Sequence, residues 1–365
     1  MKILQIIDCM ERGGGAEKFV LSLSLALKKR NLEVEVLSII PPSKDNLDFI
    51  DALRKASIPV HILNQNNKLY SVVNIFRLKK FFKCNVYDIV HVHLFPAIYF
   101  AALAKLKSTK LIYTEHSTDN RRRHFLLFKI LDRIVYSRYN KVVCISSKVK
   151  ELLVKHVGNM NFTVIPNGIF ISEYTMAKKL LRSELVEGMN EDVKIVLMSA
   201  RMVKGKDYLT VFKALAYLPS DIHLICLGTG YLENEYKIYC KKEGLLSRVH
   251  FLGLRNNVSQ ILKTADVIVL SSDHEGFSLS MLEAMASGNP FIASDVSGLS
   301  DLIKGHAILF PLGDELSLAK DIMRSLFDIP YRNQIVEKCQ KFANKYDMSF
   351  VSNLYINTYV ELIRT

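Results

Sequence analysis

Two carboxylates frame the stretch of this sequence that is richest in reactive groups. Glu275 and Glu283 stand eight positions apart in SSDHEGFSLSMLEAMASGNP, which covers residues 271–290. The apolar run ADVIVLSS before them predicts a strand, and Ser278 is a suitable N-cap for a helix that ends at Gly288. Glu275 is therefore expected on a strand-to-helix loop, and Glu283 in the second turn of the helix.

This placement predicts a site for a ligand that carries both hydroxyl groups and phosphates. The free N–H groups of a helix start and the helix dipole together bind anions. The break at Gly276 lets both carboxylates reach the same pocket, where they would accept hydrogen bonds from sugar hydroxyls. A nucleotide sugar fits this description, and the alternative is that both acids are solvated on a surface loop.

Two cations follow an earlier strand of the same half of the chain. In VLMSARMVKGKDYLTVFKAL, Arg201 comes just after a predicted strand and Lys206 opens the next helix. There they could neutralise a diphosphate and stabilise the charge that develops on it as a leaving group. Gly228 and Gly230 in CLGTG would let the backbone approach a ligand. Glu233 stands where a dinucleotide fingerprint needs a small residue, so a nicotinamide cofactor is poorly supported.

Glycines and histidines occupy predicted strand ends in the first half. Gly13–Gly15 would allow close approach of a phosphate or sugar, but no Gly-Lys-Ser/Thr follows as in a Walker loop. His91 and His93 alternate onto one face of a strand, and His116 lies beyond a strand in a polar loop. A purely structural role is the alternative for each histidine. No residue set has zinc spacing and no Asp-x-Asp pair is present, so we expect chemistry that needs no metal and no cofactor.

Apolar strand-like runs alternate with amphipathic helix-like runs along the whole chain. This alternation predicts parallel sheets with helices on both faces. A polar stretch at 172–192 interrupts the rhythm and is predicted to be a linker, and 365 residues exceed what one core usually fills. We predict an α/β protein with two doubly wound, Rossmann-like domains, 1–170 and 171–345. A C-terminal helix, 346–365, would return to the first domain, and the facing domains would share a cleft beyond their strand ends.

The positive charge is concentrated in the first half. Residues 1–170 contain 27 Lys and Arg against 13 Asp and Glu, whereas residues 171–365 contain 22 against 23, which together give +13. Such an excess favours an anionic partner: a membrane surface, a phosphate-bearing substrate or nucleic acid. The six scattered cysteines predict reduced core thiols. The N-terminus is typical of a first strand and no apolar run could span a bilayer, so we expect a cytoplasmic protein.

These segments resemble glycosyltransferase family 4, the retaining enzymes with the GT-B fold. The resemblance covers nearly the whole chain, through GGAE, DIVHVH, TEHS, CISS, VIPNGI, SARMVKGKD and, most specifically, EGFSLSMLEAMASGNPFIASDVSG. Ser199 and Asp301 differ from the residues frequent in the family. The resemblance implies transfer of a sugar, with retention, from a nucleotide-diphosphate sugar to a hydroxyl of a glycan or lipid-linked saccharide. UDP is the favoured nucleotide, and cell-surface polysaccharide synthesis the favoured process.

The resemblance also implies roles for individual residues. Glu283 would bind the ribose hydroxyls, Glu275 the sugar hydroxyls, and His116 would contact the sugar near the reacting carbon. No protein nucleophile is implied, because the donor phosphate would take the proton of the incoming hydroxyl. The implied catalytic residues are His116, Arg201, Lys206 and Glu275. The implied donor-binding residues are Gly14, Gly15, Arg201, Lys206, Gly228, Gly276, Phe277, Ser278, Leu279 and Glu283.

The basic first domain is expected to select the acceptor. Asn120–Lys141, NRRRHFLLFKILDRIVYSRYNK, predicts a basic amphipathic helix. It would hold the protein peripherally on the anionic inner face of the plasma membrane, where a polyprenyl-diphosphate-linked acceptor would lie. An ordinary helix with a solvated basic face is the alternative. The basic residues are Arg121–Arg123, Lys129, Arg133 and Arg138, and the apolar ones are Phe125, Leu126, Leu127, Ile130 and Ile134.

Other function classes explain less of the sequence. A nucleic-acid-binding or other non-enzymatic basic protein would explain the charge, but no nucleic-acid recognition module is present. A nicotinamide-dependent oxidoreductase would fit the sheets but lacks the glycine fingerprint. A nucleotide-sugar epimerase of the same fold remains an alternative. It would not release free nucleoside diphosphate when an acceptor is added.

Overall fold

The computed structural model describes residues 1–106, 108–117 and 125–364, without the side chain of Leu126. The chain forms two compact units. Unit 1 comprises Met1–Gly168 and the segment that begins at Met348, and unit 2 comprises Ile169–Asp347. The boundaries predicted from the sequence were 170/171 and 345/346. Within the described residues, no helix has both the length and the apolar character needed to cross a bilayer.

Unit 1 contains one parallel sheet with helices packed around it. Its strands within the described residues are β1 (Lys2–Cys9), β2 (Glu33–Ile40), β3 (Val60–Ile62), β4 (Ile89–His93), β5 (Lys110–Glu115), β6 (Lys141–Cys144) and β7 (Phe162–Val164). Their order in the sheet is β3-β2-β1-β4-β5-β6-β7. The helices are α1 (Gly15–Lys29), α2 (Asp48–Lys55), α3 (Val73–Cys84), α4 (Ala97–Ala104), α5 (Leu126–Ser137), α6 (Ser147–Val157) and the C-terminal α16 (Met348–Arg364).

Unit 2 repeats this plan with a sheet of six parallel strands. They are β8 (Lys194–Ser199), β9 (Ile222–Leu227), β10 (Val249–Gly253), β11 (Val267–Leu270), β12 (Phe291–Ser294) and β13 (Ile308–Phe310). Their order is β10-β9-β8-β11-β12-β13. The helices are α7 (Ile171–Thr175), α8 (Arg182–Leu185), α9 (Tyr208–Ala216), α10 (Glu233–Lys242), α11 (Val258–Thr264), α12 (Leu279–Ala286), α13 (Ser300–Ile303), α14 (Glu315–Phe327) and α15 (Ile329–Ala343). The predicted α/β architecture with two Rossmann-like sheets is confirmed.

Both sheets change winding direction at a defined pair of strands. The neighbours β1 and β4 in unit 1, and β8 and β11 in unit 2, are not consecutive in the chain. In doubly wound sheets, ligands bind beyond the carboxyl ends of the strands at such a switch point. The segments that follow these four strands are therefore the first places to look for a site.

The polar segment predicted as a linker is packed onto unit 2. Tyr174 of α7 is buried, and Leu180 N–H donates to Thr264 Oγ1 over 2.8 Å. Asp266 Oδ2 accepts from Arg182 Nη2 and from the Ile195 amide, both over 2.8 Å. The linker prediction is wrong because polar side chains here satisfy buried partners on distant elements, which composition does not reveal.

We expect Asp266→Ala to destabilise unit 2 by about 3 kcal/mol, because a largely buried guanidinium and an amide lose their shared acceptor. Hydrogen exchange should accelerate in peptides from β8 and β11, while peptides from β1 and β4 serve as the internal reference. The control Glu337→Ala breaks an exposed pair with Lys341 and should change the free energy of unfolding by less than about 1 kcal/mol. Equal effects of the two variants would contradict the packed role of this segment.

Candidate active site

A lysine, a serine and a glutamate meet at the carboxyl edge of the unit 2 sheet. Lys206 Nζ forms an ion pair with Glu275 Oε1 and donates to Ser272 Oγ over 3.2 Å. Ser272 Oγ donates to the same carboxylate oxygen over 3.0 Å. Lys206 and Glu275 are mostly buried, which strengthens their electrostatic attraction. We refer to Lys206, Ser272 and Glu275 as the ion-pair triad.

The backbone holds the triad in place. Lys206 and Ser272 form an isolated antiparallel bridge, and Asp273 N–H donates to the Gly205 carbonyl over 3.0 Å. Gly205 has φ of +92°, which a residue with a side chain rarely adopts. Asp207 accepts from Thr210 N–H at the start of α9 and from Ser271 Oγ over 2.9 Å. The two loops after β8 and β11 are thereby joined into one rigid surface.

Gly298 determines how closely a third loop approaches the triad. A Cβ added at this residue would lie 2.3 Å from the carbonyl oxygen of Glu275, and its φ is +89°. Sequence reasoning named neither Ser272 nor Gly298 as a site residue. Ser272 is the last residue of the predicted strand ADVIVLSS and Gly298 closes the quoted DVSG segment, so both signals were present. Only the fold shows that they support Glu275.

The helix after Glu275 has the predicted position and cap. Ser278 Oγ accepts from Met281 N–H over 3.4 Å, and Phe277 is buried with its ring 4.9 Å from that of Tyr346. Leu279 begins α12 and is also buried. The Gly276–Leu279 segment therefore presents a helix start with fixed flanking side chains.

Glu283 lies in the second turn of α12 and is only 4% exposed. A carboxylate at this depth is costly unless it is paired, and Glu283 does form interactions in the structure. The structure thus places it in a protected position on the helix that follows the triad, where a ligand hydroxyl would be a strong additional partner.

Arg201 follows β8 and is exposed. In the described part of the chain, its guanidinium forms no ion pair with Glu275. Gly228 approaches the backbone beside Arg201, since a Cβ there would lie 2.3 Å from the Ala200 carbonyl oxygen. Tyr208 OH donates to the same carbonyl over 2.7 Å. Gly228 was predicted to let a ligand approach, whereas the observed close neighbour is the loop that carries Arg201.

In unit 1, His116 follows β5 and contacts a second histidine. His93 Nδ1 lies 3.0 Å from His116 Nε2, and His93 Nε2 lies 2.8 Å from Gln5 Oε1. The Phe19 ring packs against His116 with a centroid separation of 5.5 Å. Burial lowers the pKa of His116 to about 3, so the imidazole is neutral at physiological pH.

The glycine loop of unit 1 has an acidic side chain at the start of the helix that follows it. Gly14 is the N-cap of α1, which begins at Gly15. A Cβ at Gly14 would lie 1.9 Å from Glu17 Oε2, so an acid of the first turn already lies at this helix start. The predicted approach of Gly14 and Gly15 to a diphosphate stays a prediction, and it requires Glu17 to move or to be neutralised.

Metal ligands do not cluster in the described ranges. No three side chains of His, Cys, Asp or Glu come together there as a metal-binding group. Chemistry without a metal or cofactor therefore stays a prediction from the sequence. In unit 2, the structure brings together an ammonium, a serine hydroxyl and a carboxylate, and the start of α12 follows them in the chain.

Two family models match nearly all of the chain. The model described as Glycosyltransferase Family 4 matches residues 13–173, and the model described as Glycosyl transferases group 1 matches residues 183–342. The first match lies in unit 1 except for its last residues, and the second lies entirely in unit 2.

Characterised relatives are similar over most of their length. A UDP-Gal:alpha-D-GlcNAc-diphosphoundecaprenol alpha-1,3-galactosyltransferase of Escherichia coli is 28% identical over 87% of this chain and 87% of its own. A Campylobacter jejuni N-acetylgalactosaminyltransferase, whose name specifies a diphospho-undecaprenol-linked acceptor, is 25% identical over 68% of this chain and 70% of its own.

Solved structures share the fold. HepE of Anabaena, solved in complex with UDP-glucose, has a TM-score of 0.84 at 22% identity and covers 99% of this chain and 100% of its own. Sucrose-phosphate synthase of Thermosynechococcus elongatus has a TM-score of 0.81 at 18% identity, with full coverage of both chains. These similarities confirm the predicted GT-B fold class. With both family models matched, the chain belongs to the glycosyltransferases of family 4, and its second unit to the glycosyl transferases group 1.

Proposed function

We propose that this glycosyltransferase moves a sugar from a UDP-sugar to a hydroxyl of a lipid-linked or glycan acceptor, with retention of configuration and without a metal. The ion-pair triad is the observation that supports this proposal most strongly. It combines an ammonium that can hold a diphosphate with a carboxylate that can accept from sugar hydroxyls. The choice of UDP is supported by the Escherichia coli relative, which is named for UDP-Gal, and by HepE, which was solved with UDP-glucose.

Unit 2 would bind the donor. Lys206 and the exposed guanidinium of Arg201 would neutralise the diphosphate, and the free N–H groups at the start of α12 would contact it or the sugar. Glu283 would accept from the ribose hydroxyls, and Glu275 from those of the sugar. The ion pair with Glu275 holds Lys206 in place before the donor binds, so little reorganisation is needed when charge develops on the leaving group.

The acceptor hydroxyl would attack from the face on which the diphosphate leaves. The departing phosphate oxygen would take the hydroxyl proton, the bond from the anomeric carbon to that oxygen would break, and the bond to the acceptor oxygen would form on the same face. No protein nucleophile is required. His116 is neutral and would serve as a hydrogen-bonding group for the sugar, not as a cation.

Unit 1 carries a surface suited to a membrane. Leu127, Ile130 and Ile134 share one face of α5 and are each more than half exposed, with Lys129 and Arg133 exposed beside them. Arg121–Arg123 of the predicted basic helix lie outside the described residues. An exposed apolar face flanked by cations binds the interface of an anionic bilayer. We propose that α5 brings the enzyme to the inner leaflet, where an undecaprenyl-diphosphate-type acceptor is embedded.

The donor is tested first. Thermal shifts with UDP-, GDP- and ADP-sugars should show stabilisation by UDP-galactose or UDP-glucose but not by the GDP- or ADP-sugars. Release of UDP in the presence and absence of EDTA then measures turnover, with equal rates expected. Anomeric analysis of the product by NMR should show the donor's configuration. Inversion, or loss of activity with EDTA, would contradict the proposed mechanism.

Lys206→Ala should lower kcat about 100-fold while the donor KM changes only a few-fold, because the lost charge acts mainly on the leaving group. Lys204→Ala removes an exposed lysine from the same loop and should retain parental kinetics. The kinetics are measured as UDP release at saturating donor. A parental kcat in the Lys206→Ala enzyme would show that the triad does not take part in catalysis.

Glu283→Ala should weaken binding of UDP alone by about tenfold to 100-fold, since a hydrogen bond to a buried carboxylate contributes about 1.5–3 kcal/mol. Isothermal titration calorimetry gives the dissociation constant. Glu235→Ala, an exposed acid on α10, is the matched control. Unchanged UDP affinity in folded Glu283→Ala would show that the nucleotide binds elsewhere.

The combined variant Leu127→Ser, Ile130→Ser, Ile134→Ser should reduce flotation with phosphatidylglycerol-containing vesicles at least tenfold, because three exposed apolar side chains no longer enter the interface. Ile238→Ser removes a similarly exposed side chain from unit 2 and should leave flotation unchanged. Flotation of the parent with pure phosphatidylcholine vesicles, compared with the anionic vesicles, measures how much of the binding is electrostatic. Equal partitioning of the parent into both vesicle types would refute attraction to anionic lipid.

A further inference from the structure

A continuous series of hydrogen bonds runs through unit 1 from His116 to the C-terminal helix. We call this series the histidine chain, and its members come from β1, β4, β5, the residue that follows β5 and α16. Apart from His116, all of them are fully buried. The pairs and distances are His116 Nε2–His93 Nδ1, 3.0 Å; His93 Nε2–Gln5 Oε1, 2.8 Å; Gln5 Nε2–Tyr359 OH, 3.5 Å; Tyr359 OH–His91 Nδ1, 2.8 Å; His91 Nε2–Thr114 Oγ1, 2.7 Å; and Thr114 Oγ1–Tyr355 OH, 3.3 Å.

The amide of Gln5 gives this chain a direction. Its oxygen faces His93, so His93 Nε2 must carry a hydrogen to donate. Burial holds the pKa of His93 well below its usual value, so the ring is neutral and its Nδ1 can only accept. The hydrogen between the two histidines therefore belongs to His116 Nε2.

The far side of Gln5 agrees with this direction. The amide NH₂ group donates to Tyr359 OH, which can then donate to His91 Nδ1, and His91 Nε2–H donates to Thr114. From His116 to Thr114, every donor in this arrangement points away from His116. Hydrogen bonds aligned in this way polarise and strengthen one another in a medium without water.

We propose that Gln5 and His93 are positioning residues that hold His116 in the Nε2-protonated tautomer, so that Nδ1 is a hydrogen-bond acceptor for one hydroxyl of the donor sugar. The proposal rests on the function proposed above, in which His116 contacts the donor sugar. It makes His116 a specificity-determining residue, because an acceptor nitrogen distinguishes a hydroxyl, which can donate, from a substituent that cannot.

Packing supports the same role. The Phe19 ring contacts both His93 and His116 edge-on, with centroid separations of 6.2 and 5.5 Å. The Phe19 ring is fully buried, so this side of both imidazoles packs against an apolar group. The orientation of the His116 ring is thus set by its hydrogen bond to His93 and by ring contacts with Phe19 and His93.

The tautomer is measured directly on the full-length protein without substrate. In ¹⁵N-histidine-labelled enzyme at pH 7.5, assigned by loss of signals in His116→Gln, His116 should show a pyrrole-type Nε2 and a pyridine-type Nδ1. A protonated Nδ1 in the parent protein overturns the proposal. This result does not depend on any assumption about the reaction.

Paired substitutions at position 93 test positioning. His93→Leu removes the acceptor and should lower kcat for UDP release at least tenfold, whereas His93→Asn offers an amide oxygen near the former Nδ1 and should recover at least a third of the parental value. Tyr139→Phe removes a buried hydroxyl bond to Ile98 O in the same unit and controls for lost stability. Equal kcat values for His93→Leu and His93→Asn in folded protein overturn the positioning role.

Donor analogues test the acceptor nitrogen. In a panel of UDP-galactose or UDP-glucose analogues with single hydroxyls replaced by hydrogen or fluorine, one position should lose at least tenfold in kcat/KM with either replacement. In His116→Ala that loss should disappear. Either of two results overturns the acceptor role. The parent enzyme could accept fluorine at every position, or His116→Ala could keep the parent's discrimination against one analogue. His116→Ala could instead show the parental kcat and kcat/KM while the parent protein has the expected tautomer. That result would contradict the proposed contact between His116 and the sugar, but it would leave the hydrogen-bond direction of the histidine chain supported.

Discussion

Parallel strand direction is the constraint on which the polar chemistry of this protein depends. All strands of one sheet end at the same edge, so every loop that follows a strand is delivered there. The interiors of the sheets accept mainly apolar side chains because helices cover both faces. The loops after β8 and β11 are 66 residues apart in the chain at Lys206 and Ser272, yet they are joined by a bridge and a hydrogen bond. Sheet order brings them together without any local signal.

The sequence predicted those features that are fixed by neighbouring residues. Ser278 caps α12 as expected, because an N-cap depends only on the next three residues. The strands β8 and β11 were also evident, since buried parallel strands are nearly continuous apolar runs. The polar segment near Arg182 was assigned wrongly as a linker because its acceptor, Asp266, lies 84 residues away. Local composition cannot report a partner at that distance.

The same limit applies inside the site. Glu275 and Lys206 were each identified as candidates, but neither the ion pair between them nor the bridging role of Ser272 follows from spacing. Gly298 shows why. Position 298 must be a glycine because a side chain there would collide with the carbonyl oxygen of Glu275. Such a close approach of two backbones appears only when the three loops are folded together. A glycine in a loop is usually interpreted from the sequence as a sign of conformational freedom, whereas here it permits a close and fixed contact between two backbones.

The two units use opposite electrostatic strategies. The triad of unit 2 keeps charged groups in partial burial, where attraction between them is strong and an anionic ligand can still compete for the lysine. The histidine chain of unit 1 removes charge altogether, since burial lowers the pKa of His91, His93 and His116. In the reaction proposed above, a cation beside the sugar would compete with Lys206 for the departing diphosphate. Under the proposed function, a neutral and oriented imidazole could recognise a sugar hydroxyl without that competition, so the two proposed roles depend on opposite protonation states of their residues.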